Sequence, residues 1–185
     1  MAAMTMPAGV ERPFTVEDLE ATPDDGRRYE LIDGMLLVSP APAWPHQEAL
    51  FALAITLRAA CPPEFRVIVA PFAVRQDGLN EVQPDIIVAR HRDITEANLP
   101  LAPPLTVEVL SPSSRLRDAS LKEAFYARLG VHSYWLLDPV KPALTAFELR
   151  SDSYAELACV AGDEAWHASE PFEVVIRPAE LIRGV

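Results

Sequence analysis

Two short runs constrain this chain more than anything else in it: Pro84-Asp85-Ile86-Ile87-Val88-Ala89 and Leu105-Thr106-Val107-Glu108-Val109-Leu110. Both are short, largely apolar runs, the first opened by Pro84-Asp85 and the second introduced by Pro103-Pro104. Runs of this kind suit central strands covered on both faces. Each nevertheless carries one carboxylate, Asp85 or Glu108. An ionised group is costly to bury unless it is paired or bound to a metal. Either one alone reads as a strand-end group that caps a loop or meets an arginine. Two of them, each within the core of a neighbouring strand, read together as a hard-cation site, because Mg²⁺ favours carboxylate oxygens.

The flanking sequence supplies the layers that would cover such strands. Thr15 to Leu19 reads as a short helix capped by Thr15, with acids in its first turn. Tyr29–Ile32 and Met35–Val38 flank Asp33-Gly34, a hairpin signal. A proline-rich loop runs from Ser39 to Pro45. From His46 to Ala60 the apolar residues Leu50, Leu53, Ala54 and Leu57 share one helical face. Phe65–Ala70 and a segment near Phe72–Val74 read as strands. A second helix is expected from about Arg115 to Leu129, with Gly130 at its C-terminal end. Tyr134–Leu137 follows as a strand, and Leu144–Leu149, Tyr154–Val160 and Phe172–Ile176 as β-hairpin material. This order predicts an α/β or α+β sandwich around a mixed sheet.

The 185 residues, half of them hydrophobic, favour one folded domain, read as 13–185, behind a flexible tail over 1–12. Cys61 and Cys159 lie far apart with no CxxC partner, so a disulfide framework and a cysteine zinc site are not expected, and the cytoplasm is the expected location. No apolar run is long enough to span a membrane, and the first residues do not resemble a secretion signal. The net charge of −11 argues against a general nucleic-acid coating protein. The acidity is concentrated at the ends: six acids against one base in 1–26, and eight against three in 148–185. The middle is nearly balanced, which leaves room for an anion there.

Lys122 stands out because the chain uses arginine 14 times and lysine only at 122 and 141. It shares a helix face with Phe125, Tyr126 and Leu129, so it projects from the core side. It either snorkels to solvent or reaches the two carboxylates. Arg115 and Arg117 stand at the start of the same helix, where they would meet a phosphate backbone or simply solvate a helix end. Tyr134 and Trp135 read as core, and Trp44 as an exposed or dimer contact. GxSxG, GxxxxGK[ST], HExxH and GxGxxG are all absent, so serine-hydrolase, P-loop, zincin and dinucleotide-binding readings have no support.

The segments YELIDG (29–34), SPAPAWPHQ (39–47), QPDIIVA (83–89), LTVEVLSPSS (105–114) and LKEAFYARLGVHSYWLLDP (121–139) together resemble the Uma-type family of putative restriction endonucleases, within the PD-(D/E)XK nuclease superfamily. The likeness runs over roughly residues 14–176. It implies a restriction-endonuclease-like α/β fold, a mixed β-sheet flanked by helices, here with an extra C-terminal β-hairpin region. It also implies that Asp85 and Glu108 are the paired acids of the motif, with 22 residues between them. The lysine usually stands two residues after the second acid, where this chain has Leu110. Lys122 on the next helix matches the family's displaced lysine. Glu30 matches an earlier acid, and His46 a histidine at the head of the first long helix. The implied activity is Mg²⁺-dependent cleavage of DNA, with Mn²⁺ as a substitute. Asp85, Glu108 and the Val109 carbonyl would hold the metal, Lys122 and Glu30 would assist at the reacting centre, and His46, Arg115 and Arg117 would contact substrate. A homodimer is expected, and no membrane partner. RNA as substrate and a non-catalytic homodimeric interaction protein on the same fold are the other readings.

Overall fold

The computed structural model describes residues 12–111 and 117–182, residues 117–119 by their backbone alone. Residues 1–11 of the expected tail therefore lie outside the described part, as does Arg115. The chain opens with α1 (Val16–Glu20), where the Thr15 N–H donates to Asp18 Oδ2 at 2.8 Å. Next come the hairpin strands β1 (Arg28–Ile32) and β2 (Met35–Ser39), turning through Asp33 and Gly34, both at positive φ. Gly34 is required twice over. Its φ is +71°, and an added Cβ would stand 2.5 Å from the Pro13 Cβ. Helix α2 covers Trp44–Ala60. Strands β3 (Phe65–Val69), β4 (Ala73–Asp77), β5 (Asn80–Val82) and β6 (Ile86–Arg90) follow, then the short β7 (Asn98–Leu99). Strand β8 (Leu105–Val109) precedes α3 (Arg117–Leu129), which ends at Gly130, φ +89°. The C-terminal part holds β9 (Ser133–Asp138), β10 (Ala143–Arg150), β11 (Ser153–Ala161), β12 (Trp166–Ala168), β13 (Val174–Ile176) and α4 (Pro178–Leu181).

Two mixed sheets result. The larger runs β11-β10-β9-β8-β6-β3, and the smaller β2-β1-β5-β4-β7, each with one parallel pair, β8–β9 and β4–β7. The strands β6 and β8 are interior to the larger sheet, as their largely apolar runs predict. Alternation divides their side chains between two cores. Ile86, Val88, Val107 and Val109 face α2 and α4, together with Leu53, Leu57 and Trp135. Ile87, Ala89 and Tyr134 face α3 and the smaller sheet, together with Phe125, Tyr126, Val74 and Val82. Helices thus lie on both faces of the larger sheet, which is the expected α/β layering.

The structure corrects several expectations. Asp85 is not inside a strand: it stands one residue before β6. Pro84 has no N–H to continue the ladder, and the Asp85 carboxylate itself takes the Val109 N–H at 2.8 Å. The segment Phe172–Ile176 shortens to β13, which pairs with β12 in a separate two-stranded ribbon, while the hairpin β10–β11 extends the edge of the larger sheet. Strands β5 and β7 and helix α4 are too short to leave a periodic signal. Tyr134 and Trp135 are buried core, as expected, and Trp44 is exposed.

Candidate active site

The end of the β6–β8 pair, the middle of β1 and the inner face of α3 meet in one cluster of charge. Asp85 is 2% exposed. Its Oδ1 accepts from Arg28 Nη1 at 2.9 Å. Its Oδ2 accepts the Val109 N–H and lies 3.1 Å from His46 Nε2. His46 can reach it because the first turn of α2 lies beside the sheet's end; the other ring nitrogen, Nδ1, is buried without a hydrogen-bond partner among the described residues. Arg28 and Glu30 are two apart on β1 and so point the same way. Arg28 Nη1 also donates to the Gln83 carbonyl at 3.0 Å, and Glu30 Oε1 accepts the Gln83 N–H at 2.8 Å.

Lys122 occupies the centre. Its Nζ lies 3.0 Å from Glu30 Oε1 and 3.0 Å from Glu108 Oε1. It is buried rather than snorkelling, in keeping with its helix face. Tyr126, one turn further along α3, donates its hydroxyl to Glu108 Oε1 at 2.6 Å. Five of the expected site side chains, Asp85, Glu108, Lys122, Glu30 and His46, are thus brought together, along with the Val109 backbone. His46, expected at the substrate, is turned to Asp85. Arg115 lies outside the described residues, and of Arg117 only its place as the first residue of α3 is known. Two participants carried no sequence flag. Arg28 could have been found from its i, i+2 relation to Glu30, and Tyr126 from its i, i+4 relation to Lys122.

The charges are unequal in their comfort. Burial works to raise the Asp85 carboxyl, but the His46 hydrogen bond and the Arg28, His46 and Lys122 charges outweigh it and hold it well below the usual carboxylate range. Glu108 is pushed up to about 6, first by burial, with the Asp85 and Glu30 charges adding to it against the pull of Lys122 and Tyr126. Burial lowers the Lys122 ammonium, yet Glu108, Glu30 and Asp85 more than reverse this, so it stays protonated. A lysine held in that state stabilises negative charge and does not serve as a proton acceptor.

Asp85 and Glu108 supply oxygen donors of the type a hard divalent cation takes, and Glu108 Oε2 accepts no hydrogen bond among the described residues. No group of three His, Cys, Asp or Glu side chains forms a metal-holding cluster among those residues. Mg²⁺ commonly keeps several waters and uses only one or two carboxylates, so two carboxylates with a backbone carbonyl fit it. Burial raises Glu108 first and the Asp85 and Glu30 charges add to it; such an ion would offset both.

No helix among the described residues is long and apolar enough to cross a membrane. No curated protein matches the chain. Among solved structures, it is similar to the crystal structure of a putative nuclease belonging to DUF820 from Anabaena variabilis ATCC 29413. That likeness has a TM-score of 0.71 at 18% identity, over 92% of this chain and 98% of that one, and it concerns the fold. The model of the Uma2 family, described as "Putative restriction endonuclease", matches residues 16–180. With nearly its whole length matched, this chain belongs to the Uma2 family of nuclease-fold proteins.

Proposed function

We propose that the protein is a divalent-metal-dependent endonuclease that hydrolyses DNA phosphodiester bonds at the Asp85–Glu108–Lys122 cluster. The observation that carries this reading is the gathering of three carboxylates in one buried cluster: Glu30 from β1 and Glu108 from β8 on either side of Lys122, and Asp85 from just before β6, held by Arg28 and His46. A purely structural network would be expected to balance its charges. Here Glu108 is left raised, with one oxygen unbonded among the described residues. Asp85, Glu108 and the Val109 carbonyl would hold Mg²⁺, or Mn²⁺ in its place. Such an ion, when bound, supplies charge neutralisation at the phosphate and a more acidic water.

The chain's own groups divide the remaining work. His46, Arg28 and the Val109 N–H fix Asp85 in one orientation. Lys122, protonated, faces the charge that accumulates on the phosphate oxygens in the transition state. Glu30 fixes Lys122 between itself and Glu108. The reaction forms a bond from the oxygen of water to phosphorus, breaks one phosphorus–ester oxygen bond, and gives the departing oxygen a proton. Arg115 and Arg117 are proposed contacts to the phosphate backbone. Residues 13–185 are read as one domain and the protein as cytoplasmic, in keeping with its two free thiols. A homodimer would present two such sites to two strands, and the exposed Trp44, Phe51 and Ile55 along α2 suit a contact of that kind.

A second reading, a non-catalytic interaction protein on the same fold, is favoured by one observation: Arg28 and Lys122 already neutralise much of the cluster from within. Incubation of supercoiled plasmid with Mg²⁺ or Mn²⁺, beside Asp85→Asn and with an RNA substrate in parallel, separates the two. Metal-dependent nicking of the plasmid by the wild type alone is expected. Equal products from both proteins, or none from either, would remove the nuclease reading.

A further inference from the structure

We propose that Arg28 exchanges partners during the reaction: it is the counter-ion of Asp85 before a divalent cation loads, and a ligand of the substrate's phosphate afterwards. The inference rests on the nuclease reading above and adds a substrate-contacting residue to it. The hydrogen bonds at Asp85 carry it. Oδ2 already accepts from the Val109 N–H at 2.8 Å and faces His46 Nε2 at 3.1 Å. A carboxylate oxygen offers two lone pairs, so Oδ2 is full when the ring donates. A cation must therefore approach Oδ1, where Arg28 Nη1 holds one of the two lone pairs at 2.9 Å. Metal and guanidinium would then share one oxygen, and their like charges repel.

Arg28 is placed to yield. Its side chain is 20% exposed against 2% for Asp85. It lines a groove of about 270 Å³ that also holds Arg27, Tyr29 and the acids Glu20, Asp24 and Glu81, of which Glu20 and Glu81 are paired with Arg75. Only Nη1 is engaged, with Asp85 and the Gln83 carbonyl, which leaves Nε and Nη2 without partners among the described residues. The Gln83 carbonyl can keep hold of the side chain while the rest of the fork turns to the groove. Arginine's five coplanar donors suit a phosphate's paired oxygens. Loading the metal thus frees an anion-binding group beside the cation that would bind the same phosphate.

The test uses the full chain and Arg28→Met. Mn²⁺ affinity is read by electron paramagnetic resonance without DNA, and duplex affinity is read in Ca²⁺ as a function of salt. Removing the competitor should tighten Mn²⁺ binding about tenfold, the worth of one charge-assisted hydrogen bond. The slope of log affinity against log salt should become shallower by about one unit, as for the loss of one phosphate contact. If Arg28→Met does not fold, Arg28→Gln removes the charge while keeping a donor for the Gln83 carbonyl. Unchanged or weaker Mn²⁺ binding in a folded variant, or an unchanged salt slope, would overturn the exchange while leaving the nuclease reading intact. Wild type that takes up no Mn²⁺ would overturn both.

Discussion

Replacing Lys122 with methionine removes the ammonium that lies 3.0 Å from both Glu30 and Glu108 while keeping an unbranched side chain in the core. Glu108 then loses the largest influence holding its pKa down. In the wild type its folded value is about 6 against an ordinary 4.5. A carboxyl raised on folding loses stability as pH rises from the unfolded value to the folded one, at about 1.4 kcal/mol per unit, and the loss stops once the folded form ionises. The wild type reaches that point at about pH 6. In the variant, Glu108 stays protonated in the folded chain to a higher pH, so its loss continues. Between about pH 6 and pH 7.5 the stability gap between the two proteins should therefore widen by about 2 kcal/mol, beyond any constant cost of the substitution. Below about pH 6 the gap should change little. Urea unfolding followed by circular dichroism at about pH 5.5, 6.5 and 7.5 measures this, clear of the isoelectric point of about 4.8. A gap constant to within about 0.5 kcal/mol across that range, or one that narrows, would refute the reasoning.

Other consequences are separable. Glu108→Gln should abolish metal-dependent cleavage while leaving the fold intact, since it removes a raised charge without changing shape; cleavage at more than about one hundredth of the wild-type rate would count against Glu108 as a metal ligand. Because Glu108 must lose a proton to bind a cation, Mn²⁺ affinity should fall about tenfold per pH unit below about 6 and level off above it, with proton release detectable by calorimetry in two buffers. Tyr126→Phe deletes the hydroxyl that donates to Glu108 and should lower stability by about 1 kcal/mol in urea unfolding. Gly34→Ala forces a side chain into positive φ and into Pro13, so its melting point should drop, by an amount matching about 1–3 kcal/mol. Multi-angle light scattering should give a mass of twice 20.4 kDa; a monomer at working concentration would refute the dimer.

The residues that carry the site are legible in the sequence because each breaks a pattern. Asp85 and Glu108 are charges inside apolar runs, and Lys122 is a rare residue on the core face of its helix. The hairpin around Asp33-Gly34 is equally legible, because its turn needs positive φ at both positions. What the sequence hides is long-range. Nothing in a linear pattern shows that Arg28 crosses 57 positions to Asp85, or that His46 turns to the same carboxylate. The start of β6 is hidden too, because the Asp85 side chain substitutes for backbone in the ladder, an outcome decided by Val109 on another strand. The separate ribbon β12–β13 is silent because three-residue strands leave no periodicity to read.

If Asp85 and Glu108 hold one divalent cation between them, both carboxylates must be needed for its uptake. Calorimetric titration of the wild type, Asp85→Asn and Glu108→Gln with Mn²⁺ at about pH 7.5, above the Glu108 pKa, tests that claim most directly. One ion per chain in the wild type, and loss of binding in both variants with their folds retained, is the predicted result. Undiminished binding in either folded variant, or none in the wild type, would contradict it.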